Sequence, residues 1–193
     1  MNDELLIRNI EKHIDLTEIE TDHVRRKFKF KAINKKDFLL REGEICYSEN
    51  FIVKGCLRLY SIDENGFEHV VMFGIEDWWV NDLYSFLTQT PSAYFIDALE
   101  NTEVLQISKE NLEKLYSEVP KFERFFRIMF QNAFVAQQNR INQNLFLSAE
   151  ERYAEFINRY PHLEKRLTQK QVAAYLGITP VFLSMIRKKW SLG

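Results

Sequence analysis

The sequence predicts an α+β chain: an antiparallel, jelly-roll-like β-roll, then one long helix, then a small helical domain ending in a helix-turn-helix. Three observations predict it. Apolar residues alternate with period two between about residues 30 and 107, and helical spacing returns after Ser108. The last 29 residues, 165–193, carry six Lys or Arg and no Asp or Glu. The boundaries read as 1–120 for N-terminal helices and roll, 121–146 for the long helix, and 147–193 for the C-terminal domain.

At the N-terminus Leu5, Leu6, Ile10 and Ile14 recur at helical spacing, and a second short amphipathic helix runs through Val24 and Phe28. Phe51, Val53, Leu57 and Leu59 then alternate with Lys54, Cys56 and Arg58, the pattern of strands with one buried face. Glu64-Asn65-Gly66 predicts a tight type I′ hairpin turn, since Asn-Gly tolerates positive φ, and 67–73 is the return strand. Residues 94–99 and 104–107 are two more short strands, separated by a turn at Glu100-Asn101.

Residues 110–118 read as a short helix ended by Pro120, and 121 to about 144 as a long one. Its stripe of Phe122, Phe126, Met129, Phe130, Ala133 and Ala136 fits a coiled-coil-like seam between two chains, or packing on the chain's own roll. Pattern alone supports both. Ser148-Ala149-Glu150-Glu151 is a capping box that opens a helix with Tyr153, Phe156, Ile157 and Tyr160 on one face, closed by Pro161.

The helix-turn-helix is read between Gln169 and Ile186. Thr168 and Gln171 form a capping box for its first helix, Ala173 is small where two helices cross, and Gly177 suits the sharp turn. Thr179 caps the second helix and Pro180 takes its first turn, where a missing N–H costs nothing. Val172, Leu176, Ile178, Leu183 and Ile186 hold the pair together. This unit places its second helix in the DNA major groove, so DNA is the expected partner. A net charge of −2 with +6 in the tail leaves −8 for residues 1–164, a distribution that orients the tail toward a polyanion.

Composition excludes several classes. In 193 residues, sixteen Phe, eight Tyr and three Trp against six Gly and four Pro argue for a packed core without long flexible linkers. No basic segment followed by an apolar run opens the chain and no stretch is long enough to span a bilayer, so no membrane partner and a cytoplasmic location are expected. Cys46 and Cys56 read as buried free thiols, too few for structural zinc or an iron–sulfur cluster, and His13, His23, His69 and His162 are scattered. No metal site is expected. An enzyme on a cupin-like barrel needs clustered ligands, whereas only His69 lies in the strand region; no catalytic residue is assigned and the chain is expected not to be an enzyme.

Leu40-Arg41-Glu42-Gly43-Glu44, Phe51-Ile52-Val53-Lys54-Gly55-Cys56-Leu57-Arg58, the long helix and the helix-turn-helix together resemble the Crp/Fnr superfamily of bacterial transcription regulators, over residues 5–190. The short form, ending soon after Arg187-Lys188-Lys189, is similar to a branch common in Bacteroidetes. The resemblance implies a cyclic-nucleotide-binding-like sensor roll, a dimerising central helix and a homodimer reading a pseudo-palindromic operator, with RNA polymerase as a further candidate partner.

The chain departs from that pattern at two sites. Family members that bind cyclic AMP carry Gly-Glu and Arg-Ser in a phosphate cassette; here Val80-Asn81 and Ser92-Ala93 stand at those places, and no cation remains for the phosphate. A charged hydrogen bond of roughly 1.5–3 kcal/mol is lost, so no cofactor is expected and cyclic AMP is expected not to bind. In the second helix the base-reading places hold Pro180, Val181, Phe182 and Met185, which can touch thymine methyls but cannot make bidentate hydrogen bonds. Gln169, Thr179 and Ser184 complete the expected DNA-facing set, with Arg187, Lys188 and Lys189 as phosphate clamps. The apolar stretch is compatible with T-rich half-sites, with readout of DNA shape, or with a ligand-sensing or protein-interaction module that no longer reads DNA.

Overall fold

A computed structural model describes residues 3–191. Two helices open the chain, α1 (Glu4–Glu11) and α2 (Glu18–Lys27). The first buries Leu6, Ile7 and Ile10 on one face; the second starts on a capping box, Thr17 with Glu20, absent from the sequence reading.

Eight strands follow: β1 (Lys29–Ile33), β2 (Phe38–Leu40), β3 (Ser48–Lys54), β4 (Leu57–Ile62), β5 (Glu68–Gly74), β6 (Trp79–Val80), β7 (Phe95–Ala98) and β8 (Thr102–Ser108). They make two four-stranded sheets in the orders β1-β8-β3-β6 and β2-β7-β4-β5, so each sheet draws strands from both ends of the region. This is the antiparallel, jelly-roll-like roll expected. A short helix, α3 (Leu83–Thr88), is inserted between β6 and β7, and α4 (Lys109–Glu118) leaves β8 directly.

Two expectations change within the roll. Arg58, which the alternation placed on the outward face, is buried. Arg58 stands directly opposite Asp97 in the β4–β7 register and forks onto its carboxylate at 3.0 and 2.8 Å, with the guanidinium 3.8 Å over the Tyr60 ring. A buried cation is tolerated where a bidentate carboxylate meets it. The β4–β5 turn is not type I′, because Gly66 has φ +80° but Asn65 does not share the positive φ. The chain turns from Asp63 to Gly66 with the Gly66 amide on the Asp63 carbonyl (2.9 Å), the αL glycine forming the bulge of a three-residue loop. The Asp63 carboxylate accepts from the Asn65 and Phe67 amides, both at 2.9 Å, which fixes the loop without help from Asn65's conformation.

The chain groups into two compact units: Met1–Ser61 with Met72–Gln131, and Ile62–Val71 with Asn132–Gly193. In the first, the opening turns of α5 (Lys121–Phe146) join the core, with Phe122, Phe125 and Phe126 almost fully buried. Trp79 lies 5.3 Å from Phe51 and 5.6 Å from Phe126, ring centre to ring centre, so an aromatic cluster fixes helix to roll. The second unit holds the rest of α5, α6 (Ala149–Arg159), α7 (Gln169–Leu176), α8 (Pro180–Ser191) and the tip of the β4–β5 hairpin. There Arg140 of α5 donates to the carbonyls of Val70, Val71 and Tyr175, the last at 3.1 Å, and its guanidinium sits 4.1 Å over the Tyr175 ring.

Candidate nucleic-acid interface

Helix α7 begins on the expected box: the Thr168 hydroxyl accepts from the Gln171 amide (3.3 Å) while the Gln171 side-chain oxygen accepts from the Thr168 amide (2.8 Å). It ends at Gly177, whose φ of +67° is the left-handed conformation that favours glycine, and the amides of Gly177 and Ile178 both close onto the Ala173 carbonyl. A Cβ there would meet nothing within 4 Å, so the dihedral alone selects glycine. Thr179 then caps α8 by accepting from the Phe182 amide at 3.2 Å. Val172, Ala173, Leu176, Leu183 and Ile186 are buried between the two helices and α6, against Tyr153, Phe156 and Leu163.

This packing leaves one face of α8 outward: Val181, Ser184, Met185 and Lys188, spaced i, i+3, i+4 and i+7. Val181 is 72% exposed and Met185 62%. Phe182 lies beside this face, 42% exposed, and Pro180 stands exposed at its start.

Several of the side chains read as DNA-facing have intramolecular roles, Thr179 as the cap of α8 among them. The Gln169 amide nitrogen donates to the Pro180 carbonyl at 2.6 Å, bracing the start of α8 against the start of α7. Arg187 donates to the Tyr153 hydroxyl (3.0 Å) and to Glu164 (2.8 Å), and Tyr153 itself donates to Glu164. Arg187 lies about a third of a turn around α8 from Val181, so the helix period turns it off the outward face toward α6. Lys189 pairs with Glu150 (2.9 Å) and Lys170 with Glu68 (3.5 Å), both lysines remaining well exposed. Exposed pairs of this kind are worth at most about 1 kcal/mol and exchange readily with another anion.

The long helix carries a second surface. Phe122 and Phe126 are interior to the first unit, Met129 and Phe130 are half-buried, Ala136 is half-buried and Ala133 is exposed. The first residues of the predicted stripe therefore pack in the core of the first unit. Five large apolar side chains of α5 remain outward, Phe134, Val135, Ile141, Leu145 and Phe146; of these Phe134, Ile141 and Leu145, at i, i+7 and i+11, line up with the edge of Phe130. That seam is rotated about 100° around the helix, one residue's turn, from the predicted stripe.

Of the four residues read as the effector position, Val80, Asn81 and Ser92 are each held by a neighbouring strand or side chain and not by one another. Val80 is buried and paired across to Asn50. Asn81 donates to Glu49 at 2.7 Å. The buried Ser92 hydroxyl donates to Asp82 (2.7 Å) and accepts from the Tyr94 amide (3.0 Å), while Ala93 is exposed. Asp82 is the N-cap of α3 and also accepts from the Ser85 amide. A carboxylate thus occupies the amide end of α3.

Glu49 is fully buried, and loss of solvation pushes its carboxyl up to about 8 from an ordinary 4.5. The folded chain then holds a proton that the unfolded chain releases, so this contribution to stability is complete below about pH 4.5, declines as pH rises, and is gone above about 8. Glu49→Gln should flatten that decline: thermal unfolding of both proteins from pH 5 to 8 should show the variant gaining relative to the parent as pH rises.

The burial of the two thiols was legible: Cys46 and Cys56 are both buried. Among the described residues, no group of three or more His, Cys, Asp or Glu could hold a metal ion, and no helix is long and apolar enough to cross a membrane.

Residues 30–119 match the cyclic nucleotide-binding domain family. An anaerobic regulatory protein from Haemophilus influenzae is 27% identical over 172 residues, covering 81% of this chain and 64% of its own length. A fumarate and nitrate reduction regulatory protein from Vibrio cholerae is 28% identical, over 81% of this chain and 66% of its own. The chain thus spans somewhat under two thirds of the length of these relatives. Among solved structures, FixK2 from Bradyrhizobium japonicum superposes with a TM-score of 0.73 at 16% identity, over 86% of this chain and 85% of that one. The chain thus carries a cyclic nucleotide-binding domain, is similar along most of its length to regulators of the Crp/Fnr superfamily, and has the fold of FixK2.

Proposed function

We propose that the chain is a DNA-binding transcription regulator acting as a homodimer, with a sensor roll that does not take cyclic AMP. The observation that carries this reading is the α7–α8 unit: two capped helices around a left-handed glycine, sharing a core and presenting one outward face free of acidic residues. Phe130, Phe134, Ile141 and Leu145 would pair with their copies in a second chain and set two α8 helices about 34 Å apart, one turn of DNA. Lys165, Lys170, Lys188 and Lys189 supply phosphate contacts, Lys170 and Lys189 by exchanging a carboxylate for a phosphate. RNA polymerase is the further partner such a regulator implies.

Selection of duplexes from a random pool by the purified protein, across a salt series, tests this. Enrichment of a two-fold-related motif supports it. Retention of no duplex at low salt overturns it and leaves the exposed Val181, Phe182 and Met185 as a surface for a protein partner. For the roll, addition of cyclic AMP should leave the thermal midpoint unchanged, because Asp82 and Ser92 already satisfy each other where the phosphate would bind. A saturable rise in the midpoint would show the cassette to be functional.

A further inference from the structure

We infer that α8 selects its sites chiefly through the 5-methyl groups of thymine, touched by Val181 and Met185, and not through a hydrogen-bond code. The inference rests on the DNA-binding reading above and specifies what that surface recognises. The outward face offers Val181, Ser184, Met185 and Lys188, and its two large central side chains are apolar. The side chains best suited to bidentate pairing with bases are engaged elsewhere: Gln169 holds the Pro180 carbonyl and Arg187 holds Glu164 and Tyr153. In the major groove only thymine presents an apolar group, so an apolar face flanked by a lysine fits a thymine-bearing groove between phosphates. A bulky apolar pair would also leave the polar edge of guanine or cytosine desolvated and unpaired, which disfavours G·C at the same positions.

The test compares the selected duplex with one in which the central thymines of each half-site are replaced by uracil. That change deletes the methyl and leaves Watson–Crick pairing in place. Binding should weaken roughly fourfold for each methyl removed from contact, and about fifteenfold when both half-sites lose one. Val181→Ala with Met185→Ala, at exposed positions that do not hold the fold, should bring the thymine-to-uracil ratio close to one while keeping the salt dependence. Equal binding of thymine and uracil duplexes by the parent protein overturns the inference and leaves the regulator reading standing. A uracil penalty that persists undiminished in the double variant also overturns it, since DNA shape would then carry the preference. Failure of the parent to select any motif counts against the underlying reading itself.

Discussion

Gly55→Ala should be the most damaging single methyl addition in the roll. Gly55 has φ +99°, where an L side chain is strained, and a Cβ there would lie 2.4 Å from the Thr102 hydroxyl oxygen, 2.7 Å from the Thr102 Cα and 2.8 Å from the Asn101 carbonyl oxygen. Two of those three atoms are backbone and cannot swing away. The Thr102 hydroxyl is itself fixed, accepting from the Cys56 amide and donating to the Glu100 carbonyl. Left-handed strain and overpacking together should cost about 3–5 kcal/mol, measured by urea unfolding of the parent and variant. Thr102→Ala in the same background removes only the hydroxyl clash and should recover a minor part, because the backbone contacts remain. A loss below about 1 kcal/mol would show that the tight approach of the two loops can relax.

Placing charge on the α5 seam should have the second large effect, this time on assembly. Phe134→Glu with Ile141→Glu changes side chains that are 64% and 51% exposed in the single chain, so the monomer should fold normally. Across a two-fold seam each new carboxylate would face its own copy or its neighbour. Sedimentation should show monomers at concentrations where the parent is a dimer. Operator affinity should fall roughly 10²–10⁴-fold, the advantage that linking two half-site contacts confers. Phe122→Glu is the contrast: it lies in the core of the first unit and should unfold the protein before it tests any interface. A dimer that survives the double charge would place the contact elsewhere.

What could be read from sequence followed from how local each signal is. The caps at Ser148, Thr168 and Thr179 need only a hydroxyl and an amide three residues away, and each is present. The box at Thr17 and Glu20 carries the same signal and was open to the same reading. Arg58 could not be placed, because its burial depends on Asp97, 39 residues on and adjacent only once two strands pair. For a related reason the stripe on α5 stayed open between a seam and packing on the chain's own roll. Its apolar spacing is continuous, but the aromatic cluster around Trp79 takes Phe122 and Phe126 inward, and no periodicity tells which partner reaches a stripe first. On α8 the reading placed Val181 and Met185 outward and both are exposed, whereas Arg187 and Gln169 looked available only because Glu164, Tyr153 and Pro180 were not yet beside them.

The Arg140 fork ties the second unit together across the sequence. Three stretches that are far apart along the chain, the hairpin tip, the middle of α5 and the end of α7, meet on one guanidinium. The backbone passes between the two units three times, after Ser61, Val71 and Gln131. A single cut therefore cannot release the helix-turn-helix with its whole support. A fragment starting at residue 147 would carry α6 to α8 but neither Arg140 nor the hairpin, leaving the Tyr175 carbonyl and ring without their cation. Such a piece should be less stable than the same helices in the full chain, so half-site affinities measured on an isolated C-terminal fragment would understate those of the intact protein.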